Sequence, residues 1–118
     1  MFGGGYPTRD GTCVRDFVHA DDLARAHIEV ARWIMDQPPA TGETFNVGTG
    51  HGTTVLEMVE CILEVADSDL VPEIVGRRAG DPPSVVASVD KIRSTLGWQA
   101  VHTIRDMVES AWGAHSAR

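Results

Sequence analysis

A chain of 118 residues with 42% apolar and 23% charged side chains has room for one modest folded unit, and this mixture excludes a disordered, collagenous or coiled-coil protein. Ten basic against 17 acidic residues leave a net charge of −7, which argues against nucleic acid as a partner because phosphate neutralisation needs a basic face. No apolar stretch approaches a membrane span, the start lacks a signal-peptide pattern, and Cys13 and Cys61 form neither a disulfide framework nor a metal pair, so a cytoplasmic protein with free thiols and no membrane contact is expected.

Glycines and Pro7 make residues 1–12 a loop. In Cys13–Val18 two valines flank charged residues, which predicts a short strand with Arg15 on the face opposite Val14 and Val18. Asp21 or Asp22 is expected to cap a helix running from about Leu23 to Met35, since a carboxylate there accepts free N–H groups and suits the helix dipole. Pro38 and Pro39 end it. Leu23, His27, Val30, Ala31 and Ile34 share one face of this helix and Ala24, Ile28 and Met35 a second, so it needs burial on more than one side. Glu43–Val47 predicts a second strand, followed by the turn Gly48-Thr49-Gly50-His51-Gly52. Thr53 or Thr54 then caps a helix whose stripe is Val55, Met58, Val59, Ile62, Leu63 and Ala66. Val71–Val75, broken by Pro72, predicts an edge strand or extended segment, and Gly76–Pro83 a basic, turn-rich loop. After a brief extended piece at Val85–Ala87, a short helix runs from about Val89 to Leu96 and stops at Gly97. Thr103-Ile104-Arg105-Asp106 opens the last helix as a capping box with Asp in place of Glu. The alternation of strands and helices gives an α/β class.

Three clusters invite chemistry. In the glycine turn the third glycine comes one place early for GxGxxG, with Thr53 where glycine is needed, so a helix-initiating loop is expected there and not a cofactor site. His19 beside Asp21 and Asp22 suggests a metal, but one turn supplies too few ligands, and capping accounts for the aspartates. Cys13 and Cys61 read as buried structural thiols. Arg15 and the loop residues Arg77, Arg78 and Asp81 suit a nucleoside diphosphate, because guanidinium forks match phosphate oxygens and a carboxylate accepts from sugar hydroxyls; a solvated surface loop is the other reading.

Five blocks in order carry a resemblance. Phe2-Gly3-x-x-Tyr6-Pro7-Thr8-x-Asp10-Gly11-Thr12-x-Val14-Arg15-Asp16-Phe17-x-His19 resembles a segment of the UDP-glucose 4-epimerases, of the extended short-chain dehydrogenase/reductase family. Asp22-Leu23-Ala24-x-Ala26-His27, Phe45-Asn46-Val47-Gly48-Thr49-Gly50, Arg77-Arg78-x-Gly80-Asp81-x-Pro83 and Leu96-Gly97-Trp98 continue it across essentially the whole chain. The resemblance implies the C-terminal substrate-binding part of a Rossmann-fold enzyme, with short strands and about four helices. Residues 1–118 would be its UDP-sugar-binding portion, without the N-terminal NAD-binding part. Neither the GxxGxxG loop nor the Tyr-x-x-x-Lys pair occurs, since Tyr6 is the only tyrosine and Asp10 stands where its lysine would be.

By the same resemblance Phe2 would border the uracil, Arg15 and Arg78 would bind the pyrophosphate, and Asp81 would accept from the ribose hydroxyls. Asn46 would be structural. Val85, four places after Asp81, would face the hexose, where a tyrosine excludes N-acetyl groups. No residue of this chain would be catalytic. The complete enzyme would use NAD to oxidise the hexose transiently at C4, turn the keto sugar over and return the hydride to its other face, with the UDP anchor holding the substrate throughout. Its expected partners are the UDP-hexose, the N-terminal NAD-binding part and a second copy in a homodimer. The alternative is a stand-alone or vestigial nucleotide-sugar-binding module without catalysis.

Overall fold

The computed structural model describes Met1 and residues 3–117. In chain order these form β1 (Val14–Arg15), α1 (Ala20–Met35), β2 (Thr53–Thr54), α2 (Val55–Val65), β3 (Ser84–Val85), α3 (Asp90–Leu96) and α4 (Ile104–Ser116).

Capping chemistry sets the helix starts. Thr54 and Glu57 satisfy each other's backbone N–H groups at α2, and Thr103 and Asp106 do the same at α4. Gly97 ends α3 at φ 66°, a conformation that costs glycine nothing. At α1 the expectation fails, because the cap is His19 and not Asp21 or Asp22. The extended backbone of His19 lays its ring over the first turn, and Nδ1 accepts the Asp21 N–H at 3.0 Å. Asp22 is drawn inward, fully buried, and serves a tertiary contact that capping does not explain.

The sheet is small, in the order β2-β1-β3, with β1 antiparallel to β2 and parallel to β3. The strand expected over Cys13–Val18 shrinks to Val14–Arg15, and Val85–Ala87 becomes Ser84–Val85. The reason lies in Asp16, whose carboxylate takes the Ala87 N–H at 3.2 Å that a longer ladder would have used. Glu43–Val47 is not a strand either, because no described segment runs in a ladder beside it. It is held instead by side chains: Lys91 reaches the Glu43 carboxylate and the Thr44 carbonyl, and the Trp33 ring meets Phe45 edge-on at 5.6 Å. Of Val71–Val75, Val75 donates to the Met1 carbonyl at 2.8 Å and accepts from the Gly3 N–H at 2.9 Å, and the Glu73 carbonyl accepts from the Met1 ammonium.

The core is modest. Ala26, Val89, Ile92 and Trp98 form its centre, with Phe45, Val47 and Leu96 packed against them. Cys13 is buried as expected, whereas Cys61 is only half-buried, since α2 has α4 on one side and solvent on the other. The body is flat, 54 × 37 × 19 Å, and its radius of gyration of 17.3 Å exceeds the roughly 13.5 Å of a compact domain of this length. Ile28 at 50% and Met35 at 83% exposure leave an apolar side of α1 uncovered, in line with the two apolar faces of its sequence. No described helix is long and apolar enough to cross a membrane.

Candidate functional site

The parallel pairing of β1 and β3 sets Arg15 opposite Val85. Pro82 and Pro83 stiffen the approach to β3, and their carbonyls are both used: Val14 N–H donates to Pro83 at 2.8 Å, and Arg15 Nη1 donates to Pro82 at 3.0 Å. Arg15 Nη1 also donates to the Val14 carbonyl at 2.7 Å, which folds the guanidinium back onto its own strand. Its Nη2 then lies 3.8 Å from Asp81 Oδ1, an ion pair without a direct hydrogen bond. Asp81 itself hangs on a turn in which its N–H faces the Arg78 carbonyl at 3.4 Å, with Gly80 at φ +85°. An open cleft of about 580 Å³ lies alongside, lined by Arg15, Asp16, Phe45, Asn46, Val85 and Ala87, among others. Three of the five expected binding residues, Arg15, Asp81 and Val85, thus meet at one end of the sheet. Arg78 is exposed on the adjoining loop, and Phe2 lies outside the described residues. Asn46, expected to be structural, is exposed at the cleft.

Asp16 organises this end of the sheet, a role that its sequence position beside Arg15 does not reveal. Its carboxylate accepts from the Thr49 N–H at 2.8 Å, the Thr49 hydroxyl at 2.6 Å, the Gly50 N–H at 3.0 Å and the Ala87 N–H. The glycine turn exists to reach it. A Cβ on Gly48 would fall 2.5 Å from Asp16 Oδ2 and 2.8 Å from the Ala87 Cβ, so only glycine fits. The same bonds decide whether this turn suits NAD. A dinucleotide loop offers free amides to a pyrophosphate, whereas here the Thr49 and Gly50 amides are committed to a carboxylate whose charge would repel phosphate. This turn does not fit that cofactor.

Two more aspartates act as internal staples. Asp10 accepts from the Thr12 N–H and hydroxyl, both at 2.8 Å, and from the Thr54 hydroxyl, tying the first loop to the start of α2. Asp22 accepts from the Val101 N–H at 3.1 Å, the His102 N–H at 3.0 Å and Arg25 at 2.7 Å. Beside it the fold brings His102 onto His19, ring centroids 4.3 Å apart, and so gathers His19, Asp21 and His102 into a cluster that the sequence did not foretell. His19 has both nitrogens engaged there: Nδ1 accepts the Asp21 N–H, which leaves Nε2 to donate to the Ser110 hydroxyl at 3.0 Å.

Burial alone would raise the pKa values of Asp10, Asp16 and Asp22, but the hydrogen bonds outweigh it and hold all three carboxyls below the usual carboxylate range. A folded pKa below the unfolded value of about 3.9 means stability that is complete above that value and lost as pH falls through the folded one. The midpoint of thermal unfolding, followed by circular dichroism, is therefore expected to drop steeply below about pH 4, and Asp22→Asn to flatten that descent. A descent of the same steepness in the variant would count against the staple.

Comparison with known proteins gives the context of this geometry. The family model for GDP-mannose 4,6 dehydratase matches residues 1–111. The chain is 41% identical to a UDP-glucose 4-epimerase of Rhizobium leguminosarum bv. trifolii, covering 98% of this chain and 35% of that protein. Among solved structures it is similar to the UDP-glucose-4-epimerase of Stenotrophomonas maltophila with bound NAD and formylated UDP-arabinopyranose, with a TM-score of 0.91, 37% identity and coverage of 98% of this chain and 34% of the other. It is also similar to the UDP-Glc/GlcNAc 4-epimerase of Campylobacter jejuni, with a TM-score of 0.85, 35% identity and coverage of 100% and 36%. The chain spans about a third of the length of these relatives.

Proposed function

The chain belongs to the GDP-mannose 4,6 dehydratase family of extended short-chain dehydrogenase/reductases, and from that premise we propose that residues 1–118 are the UDP-sugar-binding portion of a UDP-glucose 4-epimerase. NAD belongs to the complete enzymes, and in this reading it is held by the part of their length that this chain does not span. The observation that carries the proposal is the meeting of Arg15 and Asp81, 3.8 Å apart, at the mouth of a cleft that Val85 also lines. In this reading Arg15 and Arg78 hold the pyrophosphate and Asp81 accepts from the ribose. The nucleotide is thereby fixed while the hexose, in the wider part of the cleft, stays free to turn. The uncovered side of α1 and the flat shape support a second body packed on this one.

Calorimetric titration of the chain with UDP and with uridine tests the anchor. UDP is expected to bind and uridine to bind far more weakly, and Arg78→Ala is expected to weaken UDP roughly tenfold by removing a charge-assisted contact. Equal affinity for UDP and uridine would defeat the assignment. The chain mixed with NAD and UDP-galactose is expected to give no UDP-glucose, because no Tyr-x-x-x-Lys pair is present. Turnover above a protein-free control would defeat the division of labour.

A further inference from the structure

Arg77, the neighbour of Arg78 on the loop before β3, makes its contacts with the first loop of the chain. The Arg77 guanidinium lies 4.2 Å over the centroid of the Tyr6 ring, and its Nε faces the Gly4 carbonyl at 3.4 Å. Tyr6 is buried, at 6% exposure, although its hydroxyl finds no hydrogen-bond partner among the described residues. The ring, therefore, is what the fold retains. The first loop is shaped around this pair: at Gly3, φ +79°, a Cβ would fall 2.3 Å from the Tyr6 ring and 3.2 Å from Arg77 Cγ. Beside it, Val75 bonds to Met1 and Gly3 through its backbone. The segment that leads into Arg78 and Asp81 is thus anchored at its root by the bonds of Glu73 and Val75 to Met1 and Gly3, by the Arg77–Gly4 bond and by one cation on one ring.

We propose that Arg77 is a positioning residue for the nucleoside-diphosphate site, which acts through the Tyr6 ring and not by touching the phosphates. The ligand in this inference rests on the function proposed above. With its charge held over the ring, Arg77 fixes the loop so that Asp81 comes to Arg15 and Arg78 stands beside them. A guanidinium over an aromatic face is attracted by the ring quadrupole; the Tyr6 ring is buried while Arg77 stays exposed on its other side, so the contact is worth a few-fold in the loop's position.

The test is a double-mutant cycle read by UDP titration of the chain. Arg77→Ala is expected to weaken UDP roughly two- to fivefold, and Arg77→Lys, which keeps a cation over the ring, to restore most of the loss. Tyr6→Phe keeps the ring and is expected to bind UDP as the unmodified chain does. In a Tyr6→Leu background, adding Arg77→Ala is expected to cost nothing further. The same loss with and without the ring, or a weaker salt dependence of UDP affinity in Arg77→Ala, would mean direct phosphate contact and overturn the proposal. If the unmodified chain takes up no UDP, the functional reading fails and amide hydrogen exchange decides the clamp by itself. Faster exchange at Gly3 and Val75 in Arg77→Ala and Tyr6→Leu, but not in Tyr6→Phe, sustains it; unchanged exchange overturns it.

Discussion

Asp16→Ala is expected to lower the stability of the chain by about 3 kcal/mol, because it strands three half-buried amide donors, each at the low end of the roughly 1–3 kcal/mol that an unpaired donor costs. Those donors come from distant parts of the sequence, Thr49 and Gly50 in the glycine turn and Ala87 beyond β3, so the loss opens the cleft as well as the core. For a domain of this size the thermal midpoint should fall by roughly 10 °C. Asp16→Asn retains one acceptor oxygen but turns an amide toward the remaining donors, and an intermediate loss is expected. Thermal and urea unfolding of the three proteins measure this. A shift in Asp16→Ala within about 0.5 kcal/mol, the range of an ordinary surface change, would show that the turn holds its shape without the carboxylate.

Val85→Tyr is expected to set sugar size in a protein that joins this chain to the NAD-binding part of an epimerase. Val85 is half exposed, pairs with Arg15 on the ladder and lines the cleft, so a side chain there projects where a sugar attached to the anchored diphosphate would lie. Valine leaves room for an N-acetyl group, and such a protein is expected to accept UDP-N-acetylhexosamines as well as UDP-glucose and UDP-galactose. The tyrosine fills that room. Overpacking by a few atoms costs about 1–3 kcal/mol, and kcat/KM for UDP-GlcNAc relative to UDP-glucose should fall roughly ten- to a hundredfold. Rejection of UDP-GlcNAc by the valine form as complete as by the tyrosine form would remove Val85 from the gate. A similar loss with UDP-glucose would instead mean that tyrosine closes the whole cleft.

Local signals in the sequence determined the helices, because capping and stop chemistry act within one turn: Thr54 with Glu57, Thr103 with Asp106 and Gly97 form as their spacing implies. The ordered motif blocks likewise determined the family, and Arg15 and Asp81 within them, with Val85 four places beyond Asp81, are neighbours in the fold. Only the tertiary structure decided how long the strands are, since a ladder lasts no longer than its partner, and Asp16 diverts the amides that would have extended β1 and β3. It also decided the work of the aspartates. The sequence shows Asp16 beside an arginine and Asp22 at a helix start, whereas their bonds run to Thr49 and Ala87 and to Val101 and His102. The contact of Arg77 was equally hidden, because a cation on a ring depends on Tyr6, which is far away in the chain and reaches the loop only when the two segments fold together.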